Sequence, residues 1–460
     1  MAIVLCENQD GIDKNLLNQL NENTVVFSSD YYAGKYFIKI QASNEYEYYY
    51  LYHNKLYSLE KSDDIKMLQQ VFLASENYDE AKIFNEFLIN ISRIKGLDQW
   101  LFYPMIIQLE HTNHCNARCI MCGHANVDKQ KCFDMSSDTF SKIEELLPFC
   151  KYVGLHGYGE PFLAKDLIGK FEIYKKYGVR LYANTNLSYL PELYIPYIAD
   201  MFDEINVSID GFTKQTFEFI RQGLLFEKVT ENFKVLTKRC PNVIVNIHVT
   251  LMRQNILEAP LAIEFAYRNG VKKVVFNEMI PLDANSNYND SICNYPAVTS
   301  YMLELAVNRA AELDIKAEFP QKLIGKYSMD EVQQQFDEVN MLNAEEYLYP
   351  RETVIKENGL LFNRKPLTKV SAACSGVKCK GICDVFQQQI YVDADGTMAA
   401  CCVDGYHSTG NINEFENISE YWASYQVRLL RESFKAGKLP LICRQCNYVY
   451  LNNLNHLKIL

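Results

Sequence analysis

Three cysteines stand four and three positions apart in the segment Cys115-Asn-Ala-Arg-Cys119-Ile-Met-Cys122. The thiolate is the form that binds metals, and three thiolates on one short loop can converge on one small object. A structural zinc ion takes four ligands, usually from paired Cys knuckles. Three ligands leave one coordination position open. On a [4Fe–4S] cluster, which normally takes four cysteines, that open iron can hold a substrate or cofactor. A second set lies far along the chain: Cys383, then Gly396-x4-Cys401, then Cys443-Arg-Gln-Cys446. One hairpin and one Cys-x2-Cys loop would bring these four together. By residue type alone, a zinc site and an iron–sulfur cluster both fit them.

The chain has 15 cysteines among 460 residues, and its opening MAIVLCENQD lacks the basic start and long apolar run of an export signal. The expected compartment is a reducing cytoplasm, where cysteines serve metals and redox chemistry rather than a disulfide framework. Cys6, Cys150, Cys240 and Cys293 are scattered and read as small packing residues. A net charge of −11 argues against a sequence-independent nucleic-acid binder. No apolar run approaches the roughly 18 residues of a membrane span. Neither nucleic acid nor a membrane is an expected partner.

The cysteine loop follows an apolar run, and that run opens a series. Apolar runs at 105–109, 152–155, 179–183, 204–209, 243–249 and 273–276 alternate with helical stretches at 137–149, 167–177, 226–238, 257–268 and 301–313. Six β-α units in a row, within residues 101–313, predict a parallel sheet with crossover helices. Six fall short of the eight strands that close a barrel, which leaves a partial, open barrel or a doubly wound sheet. In both, chemistry belongs at the C-terminal ends of the strands, and the cysteine loop falls at one such end. Residues 1–100 read as an N-terminal α+β accessory module, with strands at 24–28, 35–40 and 46–52 and helical spacing over 63–94. Residues 314–370 read as a connecting segment with one short strand and one helix. Residues 371–460 read as a Cys-rich domain of short elements, with a hairpin of 389–392 and 398–401 turned at Asp395-Gly396.

A Cys-x3-Cys-x2-Cys loop after the first strand of such a run resembles that of radical S-adenosylmethionine (radical SAM) enzymes, over residues 105–276. The resemblance implies a partial (β/α)6 TIM-like barrel with a [4Fe–4S] cluster on Cys115, Cys119 and Cys122. It further implies that S-adenosylmethionine (SAM) binds the open iron and is cleaved reductively to a 5′-deoxyadenosyl radical, which takes a hydrogen atom from an unactivated carbon. His156-Gly157-Tyr158-Gly159-Glu160-Pro161 is similar to the family's Gly-Gly-Glu segment, with Tyr158 where the first Gly often stands. That likeness implies contacts of Gly159 and Glu160 with the SAM amino group. Asn184-Thr185-Asn186-Leu187 resembles the family's Thr-Asn-Gly turn, with Leu187 in place of Gly, and implies a SAM-binding role for Asn186. Val207-Ser208-Ile209-Asp210-Gly211 matches the family's Ser-Ile/Leu-Asp-Gly, so Ser208 would touch SAM. Arg221 would pair with the SAM carboxylate, a contact suited to a bidentate guanidinium. Leu251 would pack either the adenine or the core.

In the tail, Cys383-x12-Gly396-x4-Cys401 followed by Cys443-x2-Cys446 resembles the SPASM/twitch extension of these enzymes. With no cysteine after Cys446, the resemblance implies the shorter, twitch type: one auxiliary [4Fe–4S] cluster on Cys383, Cys401, Cys443 and Cys446. Cys402 is an alternative to its neighbour Cys401. Cys374, Cys379 and Cys402 keep no assigned duty, and Cys374 is the first candidate for a thiol that returns a hydrogen atom during an epimerisation. Enzymes of this type mostly act on ribosomally made peptides. The leading expectation is therefore a peptide epimerised or cross-linked, with residues 1–100 recognising it. Radical oxidation of a carbinol on a sugar or aminocyclitol is the alternative, and a non-catalytic iron–sulfur or zinc protein is the third reading. A flavodoxin or ferredoxin would supply the electron.

Overall fold

The computed structural model describes residues 3–5, 24–28, 36–42, 45–52, 55–95, 101–126, 128, 131–279, 288–320, 323–348, 389–399, 409–422, 424–425 and 427–429. The N-terminal part is a five-stranded sheet in the order β1 (Ile3–Leu5), β2 (Thr24–Ser28), β3 (Tyr36–Ala42), β4 (Glu45–Tyr52) and β5 (Lys55–Ser58). β1 and β2 run parallel and the other pairs are antiparallel. The helical stretch expected over 63–94 is two helices, Ser62–Ala74 and Tyr78–Lys95, separated at Glu76 with φ +52°. Tyr50, Phe72 and Phe84 are fully buried where the helices meet the sheet, with ring centroids 5.2 Å (Tyr50–Phe84) and 5.5 Å (Phe72–Phe84) apart.

The second of these helices fastens the module to the rest of the chain. Lys82 Nζ donates to the carbonyls of Tyr177 (2.5 Å) and Gly178 (2.7 Å). A cation there suits the C-terminal end of the helix Leu167–Lys176. Asn85 Nδ2 donates to Phe149 O at 3.1 Å, and Lys151 pairs with Glu86 at 2.7 Å.

The main sheet is built from β6 (Ile106–Leu109), the two-residue β7 (Arg118–Cys119), which stands apart from it, β8 (Tyr152–Leu155), β9 (Arg180–Thr185), β10 (Phe202–Ser208), the two-residue β11 (Arg221–Gln222), which pairs with β7, β12 (Ile244–Leu251) and β13 (Lys273–Glu278). β14 (Lys316–Glu318), β15 (Gln389–Val392), β16 (Thr397–Ala399) and β17 (Gly410–Asn411) complete it. The order across the sheet is β14-β13-β12-β10-β9-β8-β6-β15-β16-β17. The six expected strands lie side by side in chain order and are all parallel. Right-handed crossovers that always step in one direction put their helices on one face. A doubly wound sheet reverses its strand order instead, so the partial-barrel alternative holds.

Crossover helices are Ser137–Glu144, Leu167–Lys176, Phe226–Arg239, Ala259–Arg268 and Pro296–Glu312, near the expected stretches. Ser136 caps the first by accepting from the Thr139 N–H. Two short helices, Ile195–Met201 and Lys214–Ile220, were not expected. At seven residues, each shows too little of a helical period to be read.

Two flanking strands extend the parallel set. β14 comes from the segment read as a connection and pairs with β13. β15 comes from the Cys-rich region and pairs parallel with β6, Ile390 opposite Ile107. The expected hairpin is present as β15 and β16, but its turn is longer than Asp395-Gly396 alone. Asp393 N–H donates to Thr397 O (2.8 Å) and Gly396 N–H to Asp393 O (2.9 Å), leaving Ala394-Asp395-Gly396 as a three-residue loop. Gly396, at φ +87°, takes the left-handed position that such a loop requires. Cys374, Cys379, Cys383, Cys401, Cys402, Cys443 and Cys446 lie outside the described residues.

Candidate functional site

The cysteine loop leaves the C-terminal end of β6. Its middle is held by β7, where Cys119 pairs in register with Arg221 of β11, and by a bond from Ile120 N–H to Ile220 O at 2.9 Å. This pairing brings the Arg221 guanidinium beside the loop. Its Nη1 is 3.8 Å from Cys119 Sγ, and its Nη2 meets Asp210 Oδ2 at 2.6 Å. Asp210 is wholly buried and also accepts the Thr250 N–H at 2.6 Å. Burial opposes the charge on Arg221, but Asp210 and Cys119 outweigh it and hold the guanidinium above its ordinary pKa. The partner expected for Arg221 was a SAM carboxylate; in the structure Asp210 is its ion-pair partner, and its Nε is buried without an acceptor.

Burial pushes the Cys115 thiol up to about 11 and the Cys119 thiol up to about 12. Metal ligands bind as thiolates, so a bound cationic centre would displace the protons of these two sulfurs. Among the described residues, no three His, Cys, Asp or Glu side chains close on a single metal ion. Cys115, Cys119 and Cys122 are the thiols of this loop that would hold an iron–sulfur cluster.

The turns after β8 and β9 form the neighbouring wall. Gly159 is pressed onto the loop: a Cβ there would lie 2.0 Å from Thr112 O, so no other residue fits without moving backbone. Glu160 N–H donates to His114 O at 2.8 Å. The Glu160 carboxylate is fully buried and accepts from Thr185 Oγ1 (2.5 Å), Asn186 N–H (2.7 Å) and Phe162 N–H (3.4 Å). Burial pushes its pKa up to about 7 despite those donors. Asn186 Nδ2 in turn donates to Asn116 Oδ1 at 3.1 Å, which ties the turn back to the cysteine loop. Leu187, standing where the family's turn has Gly, has φ +54° and is fully buried. The backbone keeps the left-handed shape that Gly would supply freely.

Ser208 ends β10 half-buried, opposite His248 of β12 in register. Burial lowers His248 to about 4, so its ring is neutral near pH 7. One row below, Asn184, Asn206 and Asn246 form a ladder across β9, β10 and β12, with both amide bonds at 3.0 Å. The other face of these strands carries Ile205, Val207 and Ile247, all fully buried. Sequence reasoning singled out neither the ladder nor His248. The alternation in Ile244–Leu251, which interleaves Asn246 and His248 with apolar residues, was the available signal. Leu251 is fully buried in the main core, and its carbonyl accepts the Met279 N–H at 3.3 Å.

Residues 109–266 match the radical SAM superfamily, and residues 383–447 match SPASM, an iron–sulfur cluster-binding domain. The chain is similar to the molybdenum cofactor biosynthesis protein moc-5 of Caenorhabditis elegans, at 25% identity over 249 residues, 52% of this chain and 40% of that protein. It is also similar to the tungsten-containing aldehyde ferredoxin oxidoreductase cofactor-modifying protein of Pyrococcus furiosus, at 27% identity over 187 residues, 38% of this chain and 52% of that protein. The chain thus spans about half the length of these curated relatives. Among solved structures, Streptococcus suis SuiB shares the fold at 10% identity, with a TM-score of 0.50 and 90% of each chain covered. Residues 109–266 are thus a radical SAM domain and residues 383–447, behind it, a SPASM domain, and the cofactors that go with these domains are a [4Fe–4S] cluster, S-adenosylmethionine and an auxiliary iron–sulfur cluster.

Proposed function

We propose that this protein is a radical SAM enzyme that modifies a ribosomally made peptide, by epimerisation or by cross-linking. The observation that carries the peptide reading is the N-terminal module. Its five-stranded sheet and two helices are anchored to the core through Lys82, Asn85 and Glu86, and an enzyme for a small sugar has no evident need of it. Residues 1–100 are then the part that recognises the peptide.

When bound, the cluster and SAM supply a 5′-deoxyadenosyl radical able to take a hydrogen atom from an unactivated carbon. Cys115, Cys119 and Cys122 would hold the cluster. Gly159 keeps the turn close to the cysteine loop, so backbone of that turn can meet the SAM amino group. Glu160 and Asn186 act there as braces, Glu160 through Thr185, Asn186 and Phe162, and Asn186 through Asn116 and Ser188. Ser208 offers a hydroxyl from the end of β10, and Leu251, at the end of β12, would pack the adenine or the core. Arg221 keeps a positive charge beside Cys119 and has Nε left to donate toward a carboxylate. Cys383, Cys401, Cys443 and Cys446 would hold the auxiliary cluster, and Cys374 would return a hydrogen atom if the reaction is an epimerisation. A flavodoxin or ferredoxin is the electron donor of the required low potential, and the cytoplasm is the compartment.

A second reading, oxidation of a carbinol on a sugar or aminocyclitol, is favoured by the count of four tail cysteines suited to one auxiliary cluster. One experiment separates the readings. The anaerobic, reduced enzyme is given SAM and, in separate reactions, candidate peptides or aminocyclitols in deuterated water. Epimerisation adds about one mass unit per centre, whereas a cross-link or an alcohol oxidation removes about two, by hydrogen bookkeeping around one abstraction. Consumption of aminocyclitols but of no peptide would replace the first reading with the second.

A further inference from the structure

We propose that Glu110 is a positioning residue that couples the C-terminal hairpin to the turn that meets SAM. Glu110 directly follows β6 and is buried. Its Oε1 accepts the N–H of Tyr158 at 2.5 Å and of Gly159 at 3.1 Å. Its Oε2 accepts the N–H of Ala394 at 3.3 Å, in the loop between β15 and β16. One carboxylate thus joins the radical SAM region to the SPASM region across a sequence separation of 284. The fit is close on the turn side: a Cβ on Gly157 would lie 2.4 Å from Glu110 Oε1. The strand pairing agrees, because β15 lies parallel to β6 and Glu110 N–H donates to Val392 O at 3.0 Å. Glu110 thus fixes where the Tyr158 and Gly159 amides point, and Ala394 helps hold Glu110.

Coupling of this kind is reciprocal. Whatever orders the hairpin, an auxiliary cluster or a bound substrate, steadies the SAM turn, and SAM steadies the hairpin. The inference rests on the reading that the turn at 157–160 meets SAM, but the mechanical link can be tested without SAM.

The cleanest variant is Ala394→Pro. Ala394 is the second residue of the turn Asp393–Gly396, a position where proline is favoured, and proline removes the N–H that Glu110 accepts. Glu110→Gln is the second variant; its amide nitrogen cannot accept from Ala394, while its oxygen still serves Tyr158 and Gly159. Hydrogen exchange is followed on the full-length protein. Loss of one charge-assisted bond at the far end should speed exchange at Tyr158 and Gly159 by about tenfold in Ala394→Pro. SAM affinity, measured by equilibrium dialysis on the anaerobically reconstituted protein, should weaken by about fivefold or more in both variants. Wild-type exchange at Tyr158 and Gly159 in a folded Ala394→Pro protein would overturn the coupling. Failure of the wild type itself to bind SAM would instead overturn the reading of the turn, and the exchange arm would still decide the coupling.

Discussion

The two walls of the candidate site are built differently. The turns after β8 and β9 are held by buried carboxylates that find their partners within the protein: Glu160, in the first turn, gathers Thr185, Asn186 and Phe162, and Glu110, at the end of β6, gathers Tyr158, Gly159 and Ala394. The cysteine loop has its backbone pinned through β7 and β11, but burial keeps the Cys115 and Cys119 thiols protonated well above neutral pH. One wall is preorganised by its own hydrogen bonds, and the other is completed by what it binds. On the proposed reading, in which the site holds SAM against a cluster, both are needed: fixed donors and acceptors cost little reorganisation on binding, and sulfur ligands acquire their charge only with the metal.

The sharpest way to break this comparison is to remove the sulfurs alone. In a Cys115→Ala/Cys119→Ala/Cys122→Ala variant, iron per chain should fall from about eight to about four, if each site holds a four-iron cluster, while the fold persists. About four irons and one zinc falling to zinc alone would make the tail a zinc site. Next in size is the ion pair beneath the loop. Asp210→Ala leaves Arg221 charged and buried, and should cost about 3–5 kcal/mol in chemical denaturation; Asp210→Leu with Arg221→Met should recover much of it.

The preorganised wall makes a prediction about pH. Burial, with Asp393 nearby, raises Glu110 from 4.5 to about 7. The folded protein then binds more protons than the unfolded chain between those values. The stability contributed by protonated Glu110 is present below about 4.5 and is lost as pH rises through about 7. Denaturation of wild type and Glu110→Gln should therefore diverge as pH rises from 5 to 8, by up to roughly 3 kcal/mol at about 1.4 per unit. The smallest effect concerns Leu187. Glycine would relieve its left-handed backbone by about 1–2 kcal/mol, but a buried leucine side chain removed costs about 2–5. Leu187→Gly should destabilise by roughly 1–3 kcal/mol net; a gain in stability would mean that strain, rather than packing, dominates this turn.

How much of this was legible in the sequence follows the range of the interactions. The six strands and the longer crossover helices announced themselves through local periodicity, and the cysteine spacing pointed to a cluster. Glu110 did not, because a single carboxylate after a strand has no motif and its partners lie 48 and 284 positions away. The pairing of β15 with β6 was hidden for the same reason, since no local pattern tells an apolar run which distant edge it will join. The replacement of Gly by Leu187 was visible, but its meaning was not until the backbone showed that the left-handed geometry survives the substitution. Arg221 was picked out for a ligand, and its partnership with Asp210 became visible only when β10 and β11 were in place.

The parallel contact of β15 with β6 also bears on synthesis. A ribosome delivers Ile106–Leu109 long before Gln389–Val392. For that interval the outer edge of β6 is a row of unpaired amides and carbonyls beside a nearly finished sheet, the kind of edge that recruits foreign strands. Chains cut short before residue 389 should therefore be insoluble or bound to chaperones even though every residue from 109 to 266 is intact.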